Sequence, residues 1–599
     1  KEKKMALSAP TESPAVVVRE IDLTGGVPNV QSTTGAIVGV YKWGPIGQRQ
    51  IIANEAELVN TFAAPDATTN VSFLSATQFL KYSSTLYVVR ESLGQDSGDT
   101  NSLAWSSGSP NASYRRQVRN EESFRTVEAS LAAIDSDGFG NAGKIEFIGK
   151  YAGALGNSLQ ISILPADTTN TKFDAWAYSS SFDAKPGTSI YAQSKGSSGD
   201  EVHVAIIDQD GAFTGTRGTI LETFPNLSIL RDAKDDVGST VYLKEVINAR
   251  SEYVKFLNFS AALDSAGAGD LTALNTSYFV DSADRAPSTI SMVNGNDTPF
   301  IGTAELIAGY DLFADKDQVE VDFIIAPSRT AQADHVTMVN DLVAKAVGRK
   351  DCIVVASPDR ASILNTSNDA TRVTNTVATT SQFTRSSYLV VDNNMLKVYD
   401  KYNDAYQFIP AASTVAGIMA ATDFNRAPWF SPAGSRRGQL LGVTALAYSP
   451  TKGQRDQLYK AGVNPIANIP GQGVLLFGDK TFLGRVSAFD RINVRRLFLV
   501  LERAIGRAAE QVLFEFNDEF TRAEFVNIVE PVLREVQGRR GITDFRVVAD
   551  ETNNTSAVID RNEFIASIFI KPARSINFVT LNFVAVRTGV DFDEVVGTV

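Results

Sequence analysis

The stretch between residues 319 and 356 alternates a buried strand, an amphipathic helix and a second buried strand. The runs VEVDFIIA (319–326) and CIVVA (352–356) are apolar enough for strands that are covered on both faces. Between them, from 331 to 347, apolar residues recur at helical spacing: Val336, Val339, Leu342, Val343 and Ala346. A β-α-β unit of this kind has parallel strands and a right-handed crossover. The pattern therefore predicts an α/β core.

The same alternation of strands and helices also occurs before residue 92 and continues to about residue 460. Between 93 and 299 the composition shifts to Ser, Gly, Asp and Asn, with short predicted strands at 144–150, 158–164, 201–208 and 242–247. We therefore predict a discontinuous α/β domain made of residues 23–92 and 300–460. Residues 93–299 would be a β-rich insertion, divisible into two domains near residue 145.

The last third, residues 461–599, predicts an α+β domain. A strand at 474–477 precedes a helix capped by Asp490, and a second helix begins at Thr521 with Glu524 as its capping-box partner. Pro531 is expected to kink the second helix, and Gly538 to end it. Strands are predicted at 542–549, 564–571 and 575–587. The fold class is thus a mixed α+β multidomain protein.

Both ends of the chain carry a strand pattern with no partner nearby in sequence. The N-terminal arm (1–22) contains the strand Ala15–Asp22, and the C-terminal arm (588–599) contains Val590–Val596. Their apolar positions are Val16, Val18, Ile21, Val590, Phe592 and Val595. Strands of this kind are either disordered or added to the sheet of a neighbouring subunit, and we favour addition because it satisfies their backbone groups.

Charge and cysteine content exclude several classes of partner and site. The 599-residue chain has a net charge of −12, which argues against nucleic acid or an anionic membrane as the main partner. A single cysteine, Cys352, excludes an internal disulfide. The sequence shows neither an apolar run of 18 residues nor a signal-peptide pattern, so we expect no membrane insertion.

The residue types of a catalytic or metal site are scarce. A nucleophile-histidine pair would need one of the two histidines, yet His335 falls in a predicted helix and His203 in a predicted strand. Cys352 lies inside an apolar strand, where a buried thiol is unreactive. These residues are interpreted as structural, and the composition makes a zinc site of His and Cys very improbable.

Three short patterns resemble ligand-binding motifs but lack the required context. Residues 473–481 resemble a P-loop displaced by one residue, with a strand in place of the phosphate-binding loop. Residues 138–143 have dinucleotide-binding spacing but precede a strand. Calcium-loop positions are matched by Asp135, Asp137, Gly140 and Glu146, with Phe139 replacing an oxygen ligand. We predict no cofactor, no metal and no enzymatic activity.

The helix that begins near residue 491 carries an excess of arginine in an acidic protein. Its arginines are Arg491, Arg495, Arg496, Arg503 and Arg507. One interpretation is a solvated face with local pairs to Glu502 and Glu510. The other is a surface that contacts a carboxylate-rich neighbour.

Several long motifs, in the same order along the chain, resemble the contractile phage tail sheath proteins, those of T-even-type phages above all. They are SPAVVVREIDLT and VGVYKWGP near the start, PWFSPAGSRRGQLLGV (428–443), AGVNPIANIPGQGVLLFGDKT (461–481), INVRRLFLVLERAI (492–505) and FEFND (514–518). The residues taken as the family motif are Pro428, Trp429, Pro432, Gly434, Arg437, Gly438, Asn464, Pro465, Gly478 and Asp479.

The resemblance implies a structural subunit that stacks as rings in a helical sleeve around a tail tube and contracts. It further implies exchanged terminal strands, an outward-facing insertion and a C-terminal domain facing the tube, with the tube, baseplate and tail terminator proteins as partners. The expected location is the virion tail, after assembly in the host cytoplasm. The alternatives are the sheath of a related bacteriocin or secretion-type device and, more remotely, an α/β hydrolase or NTPase.

Overall fold

The structure is a computed structural model that describes residues 32–94, 98–104, 116–134, 147–166, 171–196, 198–257, 287–298 and 300–575. Within these ranges the chain divides into two compact units. The larger unit holds residues 32–499 and Ser575, and the smaller unit holds residues 500–574. Both predicted terminal strands, the strand predicted at 575–587 (apart from its first residue, Ser575) and the residues proposed for exchange lie outside the described residues.

The helices and strands are numbered in chain order. The first stretch contains β1 (Gly35–Gly39), β2 (Arg49–Ile52), α1 (Glu55–Phe62), α2 (Asn70–Leu80) and β3 (Leu86–Arg90). The inserted region, between residues 98 and 298, contains β4 (Leu103–Ala104), α3 (Glu121–Ile134), β5 (Phe147–Gly149), β6 (Leu159–Pro165), α4 (Thr171–Ala175), α5 (Ile190–Ser194), β7 (Glu201–Asp208), β8 (Thr219–Ser228), α6 (Leu243–Arg250), β9 (Val254–Phe256) and β10 (Ser288–Ser291).

The chain after residue 300 supplies the remaining elements. In the larger unit they are α7 (Thr303–Asp311), β11 (Phe323–Ile325), α8 (Gln332–Arg349), β12 (Ile353–Ala356), α9 (Arg360–Leu364), α10 (Asp369–Thr380), β13 (Leu389–Val391), β14 (Met395–Asp400), β15 (Ala405–Pro410), α11 (Ala412–Asn425), β16 (Ala445–Leu446), α12 (Lys452–Ala461), β17 (Ile466–Ile469) and β18 (Gly473–Leu476). They are followed by α13 (Ile492–Glu510), α14 (Glu519–Gly538), β19 (Ile542–Val548), α15 (Ser556–Ile559) and β20 (Ser567–Pro572).

A six-stranded sheet forms the core of the larger unit, in the order β13-β12-β11-β1-β3-β2. Neighbouring strands are parallel except for β2, which pairs antiparallel with β3 at one edge. The predicted β-α-β unit is confirmed, because β11 and β12 are parallel and α8 connects them. Strands from both sides of the inserted region meet in this sheet, since β1 pairs with β3 and with β11.

Helices cover both faces of the core sheet, which explains why its strands are apolar without alternation. On β11, Phe323 and Ile325 pack in the cluster that contains Phe79 of α2 and Met419 of α11. The intervening Ile324 packs in the opposite cluster, with Leu342 of α8. Successive side chains of a strand point to opposite faces, so each face needs its own helical layer. The result is a three-layer α/β core.

The inserted region contains two antiparallel sheets, ordered β10-β6-β7-β8 and β4-β5-β9. The segments that lead into and out of it run side by side, with bridges between Thr100 and Asn296 and between Leu103 and Val293. Arg90, at the end of β3, is fully buried and donates to Asp99 Oδ2 at 2.7 Å. Its guanidinium also donates to the Ala152 carbonyl at 2.7 Å, which ties the inserted region to the core.

One predicted strand of the inserted region is wrong. Residues 242–247 were predicted as a strand, but Leu243–Arg250 is the helix α6. Leu243, Val246 and Ile247 are buried, and their spacing of three and four places them on one face of a helix. The motif-like patterns at 135–146 lie outside the described residues.

The smaller unit pairs β19 with β20 in a two-stranded antiparallel sheet and packs α14 against β19. Helix α14 begins earlier than predicted, because Asp518 is its N-cap and accepts a hydrogen bond from the Thr521 N–H at 2.8 Å. It ends at Gly538 with Pro531 inside it, as its residue pattern predicts. The predicted boundary at residue 461 and the observed division after Leu499 differ, because Ile466, Leu476 and Leu499 pack in the core of the larger unit.

Candidate functional site around Asp479

The motif residues converge on a buried junction in the larger unit, where the chain leaves β18 and approaches α13. Asp479 is only 5 % exposed, and its Oδ1 accepts from Arg491 Nη1 at 2.8 Å and from the Tyr459 hydroxyl at 3.2 Å. Its Oδ2 accepts from Ser431 Oγ at 3.1 Å and from Ser575 Oγ at 3.0 Å. One carboxylate therefore joins four segments that are far apart in sequence.

The charges of this junction reinforce one another. Arg491 Nη1 also donates to the Tyr459 hydroxyl. Burial and the Asp479 carboxylate raise the pKa of Tyr459 to about 12, so its hydroxyl stays protonated and donates to Asp479. Burial opposes the charge of Arg491, but Asp479 and Tyr459 outweigh it, and the pKa of Arg491 is raised. Charge-assisted hydrogen bonds of this kind are about twice as strong as neutral ones.

Asn464 and Gly478 fix the loop that places Asp479. The Asn464 amide donates to the Val391 carbonyl at 3.1 Å and the Lys480 carbonyl at 2.8 Å, while its Oδ1 accepts from the Lys480 N–H at 2.8 Å. A Cβ on Gly478 would lie 2.8 Å from Asn464 Oδ1 and 3.0 Å from Pro465 Cδ. The loop packs too closely here for any other residue.

The segment 428–438 forms the other wall of the junction. Gly434 adopts φ +89° and donates its N–H to the Leu476 carbonyl at 2.9 Å, a conformation that glycine favours. A Cβ on Gly438 would lie 2.8 Å from that carbonyl oxygen. Arg437 Nε donates to the Ser431 carbonyl at 2.6 Å, which holds Ser431 beside Asp479. Of the remaining motif residues of this segment, Trp429 and Pro432 are buried and Pro428 is half-buried.

The interpretation of the α13 arginines as a surface for a partner needs correction. Arg496 is 1 % exposed, forms an ion pair with Asp423 and donates to the Ser32 carbonyl at 2.7 Å. Its guanidinium carbon lies 4.3 Å from the centre of the Phe323 ring, inside the core. Positive charge that is buried in its own subunit cannot line a lumen.

Arg495 is also internal. It is 6 % exposed, donates to Ser387 Oγ at 2.9 Å and lies over the rings of Tyr388 and Phe489 at 4.4 and 4.1 Å. Arg491 belongs to the Asp479 junction, as described above. Arg503 and Arg507 are half-buried and fall in the smaller unit.

A signal for the burial of Arg496 exists in the sequence. It lies four residues after Ile492 and three before Leu499, two apolar residues that both belong to the core cluster of the larger unit. An arginine at that spacing shares their helix face. The number of arginines predicts a charged surface, whereas the spacing of Arg496 from Ile492 and Leu499 predicts that its side chain is buried.

The rejected catalytic candidates occupy structural positions. Burial lowers the pKa of His335 to about 4, and its Nε2 lies 2.7 Å from the Ser357 carbonyl. His203 Nε2 lies 2.6 Å from the Ala184 carbonyl, and its ring stacks on Phe182. Burial raises the pKa of Cys352 to about 12, which keeps the thiol unreactive.

The described residues hold no group of three or more His, Cys, Asp or Glu side chains arranged to bind a metal ion. In the same residues, no helix combines the length and the apolar character needed to span a membrane. The P-loop-like stretch begins with β18, whose Leu475 and Leu476 are buried, so its middle is a strand rather than a phosphate-binding loop.

Comparison with known proteins assigns the family. Residues 301–482 match the phage tail sheath protein central domain, and residues 486–585 match the phage tail sheath C-terminal domain. The tail sheath proteins of Vibrio phage KVP40 and Enterobacteria phage T4 are each 32 % identical to this chain, over 98 % of its length and 99 % of theirs. The crystal structure of a sheath tail protein from Desulfitobacterium hafniense has the same fold, with 14 % identity, a TM-score of 0.50 and coverage of 93 % of this chain and 100 % of that one. The chain therefore belongs to the contractile phage tail sheath family, and it is a structural subunit of a tail sheath.

Proposed function

We propose that this chain polymerises as stacked rings in a helical sleeve around a tail tube, and that contraction of the sleeve drives the tube through the host envelope. The observation that carries the proposal is the 32 % identity to two tail sheath proteins over nearly the full length of all three chains. A repeated contact between unlike surfaces produces an open helix rather than a closed ring. The sheath surrounds a tube, so tube, baseplate and terminator proteins are its proposed partners, and assembly takes place in the host cytoplasm.

The proposed domain arrangement assigns residues 23–92 with 300–460 to the sheath core, 93–299 to an outward-facing region, and 461–599 to a tube-facing domain. The sheet that pairs β1 with β11 and the adjacent ends of the inserted region support the first two assignments. With Arg495 and Arg496 buried, the tube-facing surface must use other residues of the C-terminal stretch.

We further propose that the terminal arms add as strands to the sheets of adjacent subunits. The sheet of β19 and β20 supports this, because within the described residues each of these strands pairs only with the other. Phe569 of β20 is 60 % exposed, which leaves apolar surface beside an open edge. An open edge with apolar side chains binds an added strand readily. Backbone ladders of this kind persist while softer contacts between subunits rearrange.

Electron microscopy of the purified full-length chain tests the function. Striated sleeves or wide hollow tubes are expected, and monodisperse particles under all conditions would contradict the proposal. A chain that lacks residues 588–599 tests the arms separately. It should melt cooperatively with unchanged circular dichroism and fail to form long sleeves, whereas ordinary polymers from the truncated chain would disprove strand addition by this arm.

A further inference from the structure

A cavity of about 160 Å³ lies beyond the carboxyl ends of β1 and β11, two neighbouring strands in the middle of the core sheet. Its lining includes Gly39, the last residue of β1, and Val40, which follows it, together with Ala326 and Ser328, which follow β11. The two strands are parallel, so both present their carboxyl ends to this edge. The volume is enough for several water molecules or a small organic molecule.

The cavity lies at the point in the sheet where the order of the strands reverses, which is where ligands bind in open α/β sheets. From β1 the chain continues to β3 on one side of it, while from β11 it continues through α8 to β12 on the other side. Connections that leave two adjacent parallel strands in opposite directions open a crevice between them, and in open α/β sheets ligands bind in that crevice. The chemistry of the lining then decides which ligand fits.

Two arginines supply that chemistry. Arg329 donates to the Ile301 carbonyl at 2.8 Å and lies 4.7 Å from the centre of the Phe300 ring. Arg360 donates through Nη1 to the Phe408 carbonyl at 2.6 Å. Within the described residues, neither guanidinium forms a salt bridge, although the charges of Asp334 and Glu305 act on Arg329 and oppose the effect of burial. Burial lowers the pKa of both groups, and no carboxylate in the described part of the chain counters it at Arg360.

The rest of the lining is mainly apolar. Ile37 and Val40 come from β1 and its end, Leu306 from α7, and Val71 from α2. Ser72 is the polar exception near β1; its Oγ accepts from the Val40 N–H at 3.2 Å and keeps its own hydrogen for a further acceptor. An apolar cavity with a few convergent polar groups is the usual form of a small-molecule site.

We propose that this cavity binds a small organic anion, with a carboxylate or phosphate head between Arg329 and Arg360 and a short apolar body against Ile37, Val40 and Leu306. A guanidinium that donates one hydrogen bond to a backbone carbonyl retains further N–H donors in a planar fork that matches an oxyanion. The apolar walls favour a molecule with a few methylene groups over a fully hydrated inorganic ion. The proposal goes beyond the proposed function and does not rest on it.

Calorimetric titration of the full-length, unpolymerised chain tests the site, with butyrate, acetate and inorganic phosphate as probes. Butyrate should bind with a dissociation constant in the millimolar range or below, and more tightly than acetate because of its longer apolar body. Arg360→Gln and Arg329→Gln should each weaken butyrate binding at least tenfold. Arg125→Gln is the matched control, since the Arg125 side chain is 77 % exposed and remote in sequence from the cavity; it should leave binding unchanged.

Circular dichroism of each variant excludes misfolding as the cause, and Arg360→Lys provides a second measurement because it keeps the charge and loses the fork. That variant should retain part of the affinity. Absence of butyrate binding to the wild-type chain would overturn the proposal. So would equal dissociation constants for butyrate in Arg360→Gln, Arg329→Gln and the control Arg125→Gln.

The anionic head could come from solution or from an acidic side chain of a second copy. Sedimentation of polymers in the presence of butyrate separates the two sources. Unchanged polymerisation together with binding supports the free molecule. Inhibition of polymerisation that Arg360→Gln reproduces would assign the carboxylate to a neighbouring subunit at the same site.

Discussion

The two compact units bury their sheets to very different degrees. In the larger unit, every residue of β11 and β12 is buried, because helices cover both faces of the sheet. In the part of the smaller unit that the structure describes, β19 and β20 form a two-stranded sheet, and Asp544 and Phe569 on it are exposed. A two-stranded sheet is marginally stable by itself. Within the described residues, the larger unit therefore covers its core sheet on both faces, whereas the smaller unit exposes apolar surface such as the Phe569 ring.

The largest expected effect follows from the buried ion pair of the larger unit. Arg496→Met leaves the Asp423 carboxylate, whose side chain is 3 % exposed, without its cation. Removal of one partner from a buried pair costs about 3–5 kcal/mol, so the midpoint of urea unfolding should fall markedly. Arg534→Met is the control in the smaller unit, because the Arg534 side chain is 70 % exposed, and it should change stability by less than about 0.5 kcal/mol. Equal effects of the two substitutions would contradict the comparison.

A second pair of substitutions removes the same charge at a buried and at an exposed site. Asp479→Asn weakens the hydrogen bonds from Arg491, Tyr459, Ser431 and Ser575, and should cost about 1.5–3 kcal/mol. Asp544→Asn removes the exposed pair with Lys571 in the smaller unit, and should change the free energy of unfolding by much less, because solvent screens an exposed pair. Chemical denaturation of both variants measures the difference. A larger loss of stability for Asp544→Asn would contradict the view that the larger unit is the more fully buried of the two.

A third prediction concerns pH. Burial raises the pKa of Asp392 to about 7, although hydrogen bonds from the Asn394 N–H and Ser357 Oγ oppose the shift. The folded state therefore binds a proton between about pH 4 and pH 7 that the unfolded state has released, so the free energy of unfolding decreases as pH rises through this window. Asp392→Asn should flatten the decrease and raise stability at pH 8 by about 1–2 kcal/mol. An unchanged pH profile, measured by thermal unfolding, would show that this carboxylate is not the cause.

The smallest expected effect on stability tests the open surface of the smaller unit. Phe514 and Phe516 lie between α13 and α14 and are 103 % and 83 % exposed. The double change to Ser should alter the free energy of unfolding by less than about 0.5 kcal/mol, yet reduce the yield of polymers in sedimentation. Phe525→Ser is the control, because Phe525 is 2 % exposed and its loss should unfold the unit. Normal polymers from the double variant would show that these rings do not serve assembly.

Sequence patterns predicted the strands of the larger unit well where both faces of a strand are buried. The strand Glu201–Asp208 has the predicted bounds, because a long apolar run leaves little choice of structure. The error at Tyr242–Ile247 arose in a short stretch whose apolar residues fit either period, and tertiary packing selected the helix.

The candidate site was predicted only in part. Resemblance to the sheath family identified Asp479, but its partners Tyr459 and Ser575 lie 20 and 96 residues away in sequence. Contacts at such separations depend on the complete fold and leave no local pattern. The burial of Arg495 and Arg496 was missed because charged residues are rarely buried unless paired, and the partner Asp423 lies on another helix.

The side-by-side bridges at Thr100–Asn296 and Leu103–Val293 have a consequence for how sheaths diversify. Because the two ends of the inserted region lie next to each other, the region can be lengthened, shortened or replaced during evolution without displacing the core sheet. Two core residues limit the exchange. Arg90 would lose Asp99 and Ala152, and Trp43 would lose the rings of Tyr151 and Phe213, whose centres lie 5.5 and 5.3 Å from its own. A sheath protein that lacks the inserted region should therefore carry an uncharged residue at position 90 and a polar residue at position 43.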